Sequence, residues 1–303
     1  MVLAILVSLV FASGCQSIHP FAQRTKERIG AAREWANGGL EAFRNGRLQQ
    51  AKGLFTRATE QRPDDFRARA NLARTLHQSN ETSEAITQMQ QAVEQSGNDP
   101  GIMVELGEMY LATGQLGPAN RQAQAALREH NRLASAWHLK GKVSRAKGDL
   151  DQALAELQKA AGLAPNLLPL QMDIADTYRM TGEPLKALVS LENLLAKHPA
   201  DSQPEAAVTG KADLLLELKH YPSAIAMLQR ASQQQNVTEP IMLRLGQAQL
   251  LAGQFSQARS TIARTKTMFP NTTNVAGPIS DDLQRLSKAI DDRSNSDGQL
   301  VIR

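Results

Sequence analysis

Cysteine is almost missing from this chain: a single residue, Cys15, rules out an internal disulfide. Aromatic residues make up only 4% of the 303 positions, which leaves few rings for stacking bases. Six histidines occur, at 19, 77, 130, 138, 198 and 220, and no two are three or four apart. No helix face therefore offers a histidine pair to a metal. Neither a phosphate-binding loop ending Gly-Lys-Ser/Thr nor a Gly-x-Ser-x-Gly elbow is present. Acids such as Asp64-Asp65 and Asp281-Asp282 sit side by side at expected helix starts, where capping and solvation account for them. The formal net charge is only +4, and no long basic stripe is present. These absences argue against an enzyme, a bound metal or cofactor, a small-molecule substrate and a nucleic-acid partner.

What is present is a period. Ala51, Ala85, Ala119, Ala153, Ala187, Ala224 and Ala258 are spaced by 34 residues, except for one spacing of 37 that holds the insertion Ser202 to Pro204. With these alanines at position 20 of a unit, position 8 is also small throughout: Gly39, Ala73, Gly107, Gly141, Ala175, Ala212 and Gly246. Position 27 is Ala58, Ala92, Ala126, Ala160, Leu194, Ala231 and Thr265. Position 24 is Phe55, Met89, Ala123, Leu157, Leu191, Leu228 and Ile262. Small residues at 8 and 20 let two antiparallel helices approach closely, and the bulkier position 24 is expected to fill the gap between neighbouring units. Position 15 holds Gly46, Asn80, Gly114, Gly148, Gly182, Lys219 and Gly253, the expected left-handed end of the first helix. Pro63, Pro165, Pro199 and Pro270 end four units, where a second helix cannot continue. A repeat of this length made of two helices builds an elongated stack and exposes a binding surface.

These columns, most fully Trp35-Gly39-Gly46-Ala51-Phe55-Ala58-Pro63 and Trp137-Gly141-Gly148-Ala153-Leu157-Ala160-Pro165, resemble the tetratricopeptide repeat family. The resemblance implies an all-α fold, an α-solenoid (right-handed superhelix) of about seven helix-turn-helix repeats with a C-terminal capping helix. The repeats are placed at 32–65, 66–99, 100–133, 134–167, 168–201, 205–238 and 239–272. A closing helix is expected at about 280–290 within 273–303, with Ser280 as its N-cap, and disorder is expected from Asp291 onward.

At the other end, Val2 to Ala12 is apolar apart from Ser8 and is followed by Ser13-Gly14-Cys15. Such a run suits a signal peptide and is short for a membrane span of about twenty residues. The small residues before Cys15 resemble a bacterial lipobox, which implies cleavage after residue 14 and acylation of Cys15. Residues 15–31 then form a tether to the first repeat. With Gln16 where an aspartate would retain the protein in the inner membrane, the same resemblance points to an outer-membrane lipoprotein facing the periplasm. Between 16 and 62 there are nine Lys/Arg and four Asp/Glu, so the basic excess adjoins the expected anchor. Cations near an anionic surface gain roughly 1 kcal/mol each. An ordinary signal peptide, and hence a non-lipidated periplasmic chaperone or adaptor, is the alternative.

In the family, the first helix of each unit lines a concave groove through positions 2, 5, 9, 12 and 13. Carried over, this selects Arg33, Arg44, Arg67, Arg74, His77, His138, Lys142, Arg145 and Arg179, with the acids Glu108, Asp176, Asp213 and Glu217. The expected partner is a protein, bound as an extended peptide or a helix with acidic and apolar side chains. The expected role is an outer-membrane-anchored interaction scaffold for an envelope machine serving pilus, export, outer-membrane or cell-wall biogenesis.

Overall fold

Close-packed small residues every 34 positions should produce paired helices, and they do. The computed structural model describes residues 19–234, 237–270, 285–290 and 292. The signal segment 1–14, Cys15, the start of the closing helix at Ser280 and nearly all of the tail lie outside the described residues. No strand occurs among those described. The chain divides into two units, Met1–Gly148 and Asp149–Arg303.

The first unit contains α1 (His19–Arg44), α2 (Leu48–Gln61), α3 (Phe66–Gln78), α4 (Thr82–Gln95), α5 (Pro100–Ala112), α6 (Leu116–Glu129) and α7 (Ala134–Lys147). The second contains α8 (Leu150–Leu163), α9 (Leu168–Met180), α10 (Pro184–Leu195), α11 (Glu205–Glu217), α12 (Tyr221–Ser232), α13 (Glu239–Leu251) and α14 (Phe255–Met268). A 3-10 turn, Ala200–Ser202, takes up the insertion between α10 and α11. Consecutive helices pack within each unit, and the first helices of successive repeats also touch: α1 on α3, α5 on α7, α9 on α11 and α11 on α13. That second set of contacts gives each unit a face made from first helices alone.

The helices begin and end where local chemistry dictates. Asp65 accepts hydrogen bonds from the Arg67 and Ala68 amides at 3.1 and 3.3 Å, and Asp99 does the same for Gly101 and Ile102 at 2.8 and 3.1 Å. Proline stands in the first turn of α5, α9, α10, α12 and α13, where its missing N–H costs nothing. All seven position-15 residues have positive φ, between 61° at Lys219 and 87° at Gly148. α1 runs unbroken for 26 residues, so half of it precedes the first repeat. Arg28 ties this extension to α2, donating through Nε to Gln61 Oε1 at 3.3 Å.

Every position-20 alanine is fully buried, and every residue of column 24 is at most 4% exposed. Column 24 does its filling inside the helix pair. A Cβ added to Gly39 would stand 2.8–2.9 Å from three atoms of the Phe55 ring, and one added to Gly246 would stand 3.0 Å from Ile262 Cδ1. The expectation that column 24 serves the gap between units is corrected for these repeats, where position 8 is small because position 24 of the same repeat lies on it; Leu191 of the fifth repeat also reaches Gly210 of the next. The third repeat follows the same logic differently. Its position 24 is Ala123, and Leu139 from α7 covers Gly107 instead. In the second unit the helical segment 285–290 brings Leu286, Ala289 and Ile290 onto Leu243, Leu250, Ala258 and Ile262, covering apolar surface of the last pair.

Candidate functional site

The first-helix face differs between the two units because the positions facing outward do not repeat. In the first unit, Phe66, Arg67, Ala70, Asn71, Arg74, Asp99 and Ile102 enclose a cavity of about 380 Å³. Arg67 is exposed, with its guanidinium 4.8 Å from the Phe66 ring centre. Arg74 is not available in the same way. Its Nε and Nη2 hold both carboxylate oxygens of Glu105 at 2.6 and 2.7 Å, and Asn71 Oδ1 accepts from its Nη1. Lys142 likewise donates to Glu108 at 2.5 Å.

The remaining selected residues are placed as follows. Arg33 and Arg44 are exposed on α1. His77 is half-buried, and its Nδ1 has no hydrogen-bond partner among the described residues. His138 is buried and Arg145 half-buried, and each already has an interaction of its own. Thus the basic set does not form one continuous bare lining. The structure brings Arg67 and Arg74 together in one cavity and closes Arg74 and Lys142 with acids.

In the second unit, two adjoining cavities of about 470 Å³ each share Asp213, Gln247 and Leu251. Together they form a trough along α9, α11 and α13 to the segment 285–290. Leu216, Leu243 and Leu250 contribute buried apolar surface, and Leu251 is 38% exposed. Charges stand along the sides. Arg244 donates to Asp213 at 3.1 and 3.3 Å, and Arg179 lies 3.9 Å from Glu217. Asp176 is exposed and pairs with nothing among the described residues.

Position 6 is what the expected groove positions omitted. Glu105 and Arg244 both occupy it, and both reach across to position 9 of the preceding repeat, Arg74 and Asp213. A signal for them exists in the chain: opposite charges 31 residues apart, one repeat less three, meet on adjacent first helices. The Lys142–Glu108 pair shows the companion spacing of 34. Among the described residues no group of His, Cys, Asp and Glu is arranged to hold a metal ion.

Comparison with known proteins agrees with this architecture. Solved structures similar to the chain include a tetratricopeptide repeat protein from Parabacteroides merdae, with TM-score 0.61 at 15% identity, covering 86% of this chain and 99% of that one. Pseudomonas aeruginosa pilF gives TM-score 0.56 at 17% identity, covering 74% and 98%. Yeast Tom70 gives 0.66 at 16% identity over 93% of this chain and 57% of its own. At such identities the likeness concerns the fold. No curated protein matches the sequence. Tetratricopeptide repeat profiles match residues 42–100, 134–167 and 215–277, together just over half of the chain. With the seven-fold register of buried columns and the left-handed residue closing every first helix, the chain belongs to the tetratricopeptide repeat family.

Proposed function

We propose that this protein is an exported interaction scaffold that holds a segment of a partner protein on its first-helix face, anchored through an acylated Cys15 to the outer membrane. The observation that carries the binding part is the trough of the second unit, which combines buried leucines with charged sides at the groove positions of the repeat. An elongated cavity with an apolar floor and a few polar groups suits a helix or an extended peptide better than a compact metabolite.

The anchor rests on Ser13-Gly14-Cys15 behind the apolar run Val2–Ala12 and on the basic excess that follows. Among the described residues no helix is long and apolar enough to cross a membrane. Two or three acyl chains hold a protein stably on a bilayer, whereas one binds only marginally. In this reading the scaffold serves assembly of an envelope machine for pilus, export, outer-membrane or cell-wall biogenesis. Replacing Cys15 with Ala moves the protein from the membrane to the soluble fraction, and mass spectrometry finds a diacylated N-terminal cysteine in the unaltered protein. Unchanged fractionation, or a mature N-terminus elsewhere, removes the anchor and leaves a soluble periplasmic chaperone or adaptor.

A further inference from the structure

The trough of the second unit has a polarity that the overall positive charge conceals. Asp176, Asp213 and Glu217 border its α9–α11 half, with Arg179 the only cation among the described residues lining that cavity. Two of the three carboxylates are answered from adjacent repeats, Asp213 by Arg244 and Glu217 by Arg179. Asp176 has no partner among the described residues, and it stands exposed beside the apolar floor. The floor itself depends on a glycine. Position 6 carries Asn37, Asn71, Glu105, Leu139, Asp173 and Arg244 in the other repeats, but Gly210 here. Glycine inside a helix weakens it relative to alanine, and Gly210 has no left-handed backbone to justify it. What it provides is room: the Met172 side chain lies across it, with Cε 3.2 Å from where a Cβ would stand and Leu191 Cδ1 at 3.4 Å. Met172 and Gly210 both line the cavity, which is open above them.

Resting on the groove reading above, we infer that this trough receives a partner-protein segment in which a lysine or arginine is flanked by apolar side chains, the cation pairing with Asp176 and the apolar groups lying on the leucine floor. An acidic segment fits poorly at this place. Its carboxylate would meet Asp176 unopposed, and the cations nearby are already in use. Lysine and arginine carry apolar stems, so one side chain can satisfy both the floor and the carboxylate. The occupant expected from the positive residues of the chain is therefore reversed in sign in this half of the molecule.

The test uses the full chain immobilised on a sensor surface and two synthetic amphipathic peptides with leucine at every third or fourth position. One carries lysines on its flanks, the other glutamates. The lysine peptide binds about fivefold or more tightly than the glutamate peptide, the scale expected for a few exposed charge contacts. Asp176→Lys removes about fivefold of the lysine-peptide affinity, while Glu60→Lys, the same charge change at an exposed site in the other unit, leaves it within about twofold. Gly210→Leu places a bulky side chain where glycine lines the trough and weakens both peptides, with helix content and melting checked by circular dichroism. Equal affinity for the two peptides, or equal effects of Asp176→Lys and Glu60→Lys, overturns the charge assignment. If Gly210→Leu still weakens binding in that case, the groove reading survives. Peptide affinities unmoved by Gly210→Leu in a folded protein remove the trough as the site.

Discussion

The two units share one set of buried columns and differ in how their first-helix faces are finished. In the first, Glu105 and Glu108 are spent on Arg74 and Lys142, and the cavity beside Arg67 has a volume of about 380 Å³. In the second, an apolar trough of two adjoining cavities runs past a carboxylate with no partner among the described residues. The difference shows that formal charge at groove positions does not predict what a groove attracts. Ion pairs between successive repeats cancel charges before a partner arrives, and the residue left over decides the sign. The inner surfaces contrast as well. A rigid aromatic ring covers the position-8 glycine of the first repeat, whereas the flexible tips of Ile262 and Leu286 cover that of the last.

The largest effect expected from this contrast is on packing. Gly39→Ala gains about 1 kcal/mol of helix propensity but drives a methyl into the Phe55 ring, an overpacking cost of about 1–3 kcal/mol. The net result is a loss of up to about 2 kcal/mol in chemical denaturation, by the same balance of propensity and overpacking. Gly246→Ala, facing side-chain tips that can turn away, loses less. Gly30→Ala, with open space at its Cβ, gains about 0.5–1 kcal/mol. Equal losses at 39 and 246 would break the contrast between rigid and yielding neighbours.

Next in size is the turn after α11. Lys219 holds φ 61° where five of the other repeats have glycine, and a left-handed conformation costs a side-chain-bearing residue on the order of 1 kcal/mol. Lys219→Gly stabilises the second unit by about 0.5–1 kcal/mol, after allowance for the greater freedom of an unfolded glycine. Asn80→Gly, at the matching turn of the first unit, changes stability by only a few tenths of a kcal/mol, because asparagine tolerates this conformation. Thermal melting of the two variants decides the ranking.

A smaller effect tests the electrostatic closure. Arg74 and Glu105 are each about one-third exposed, so Glu105→Gln costs well under 1 kcal/mol, as surface pairs do. Its informative consequence is on binding: the freed Arg74 beside Arg67 raises affinity for the glutamate peptide, and half-molar salt abolishes the gain. A gain that persists in salt, or none at all, would mean that Glu105 does not govern the first unit's face.

Much of the fold was legible because its determinants are local and repeated. A column of alanines at fixed spacing has one physical use, close helix approach, and all seven proved fully buried. The turn column was legible for the same reason, and Asn80 and Lys219 adopt the left-handed conformation even without glycine's freedom. The candidate site was legible only in part. Arg67, Arg74 and Asp176 were found from register, but the occupation of Arg74 and Lys142 was not, since no column of a single repeat contains both members of an inter-repeat pair. Position 6 escaped notice because it carries asparagine, acid, leucine, glycine and arginine in turn and so has no pattern to detect.

By itself, the sequence determined the helix pairs, their register and which columns are buried, because small-residue packing and backbone handedness act over a few residues and recur at each turn of the repeat. Only the tertiary structure decided which charges are cancelled, that Phe55 and Ile262 fill the space over glycines of their own repeats, and that Gly210 leaves an open trough beside an unanswered Asp176. Those outcomes depend on distances between side chains on different helices, within a repeat and between repeats, set jointly by the volume of every neighbour that keeps the helices apart.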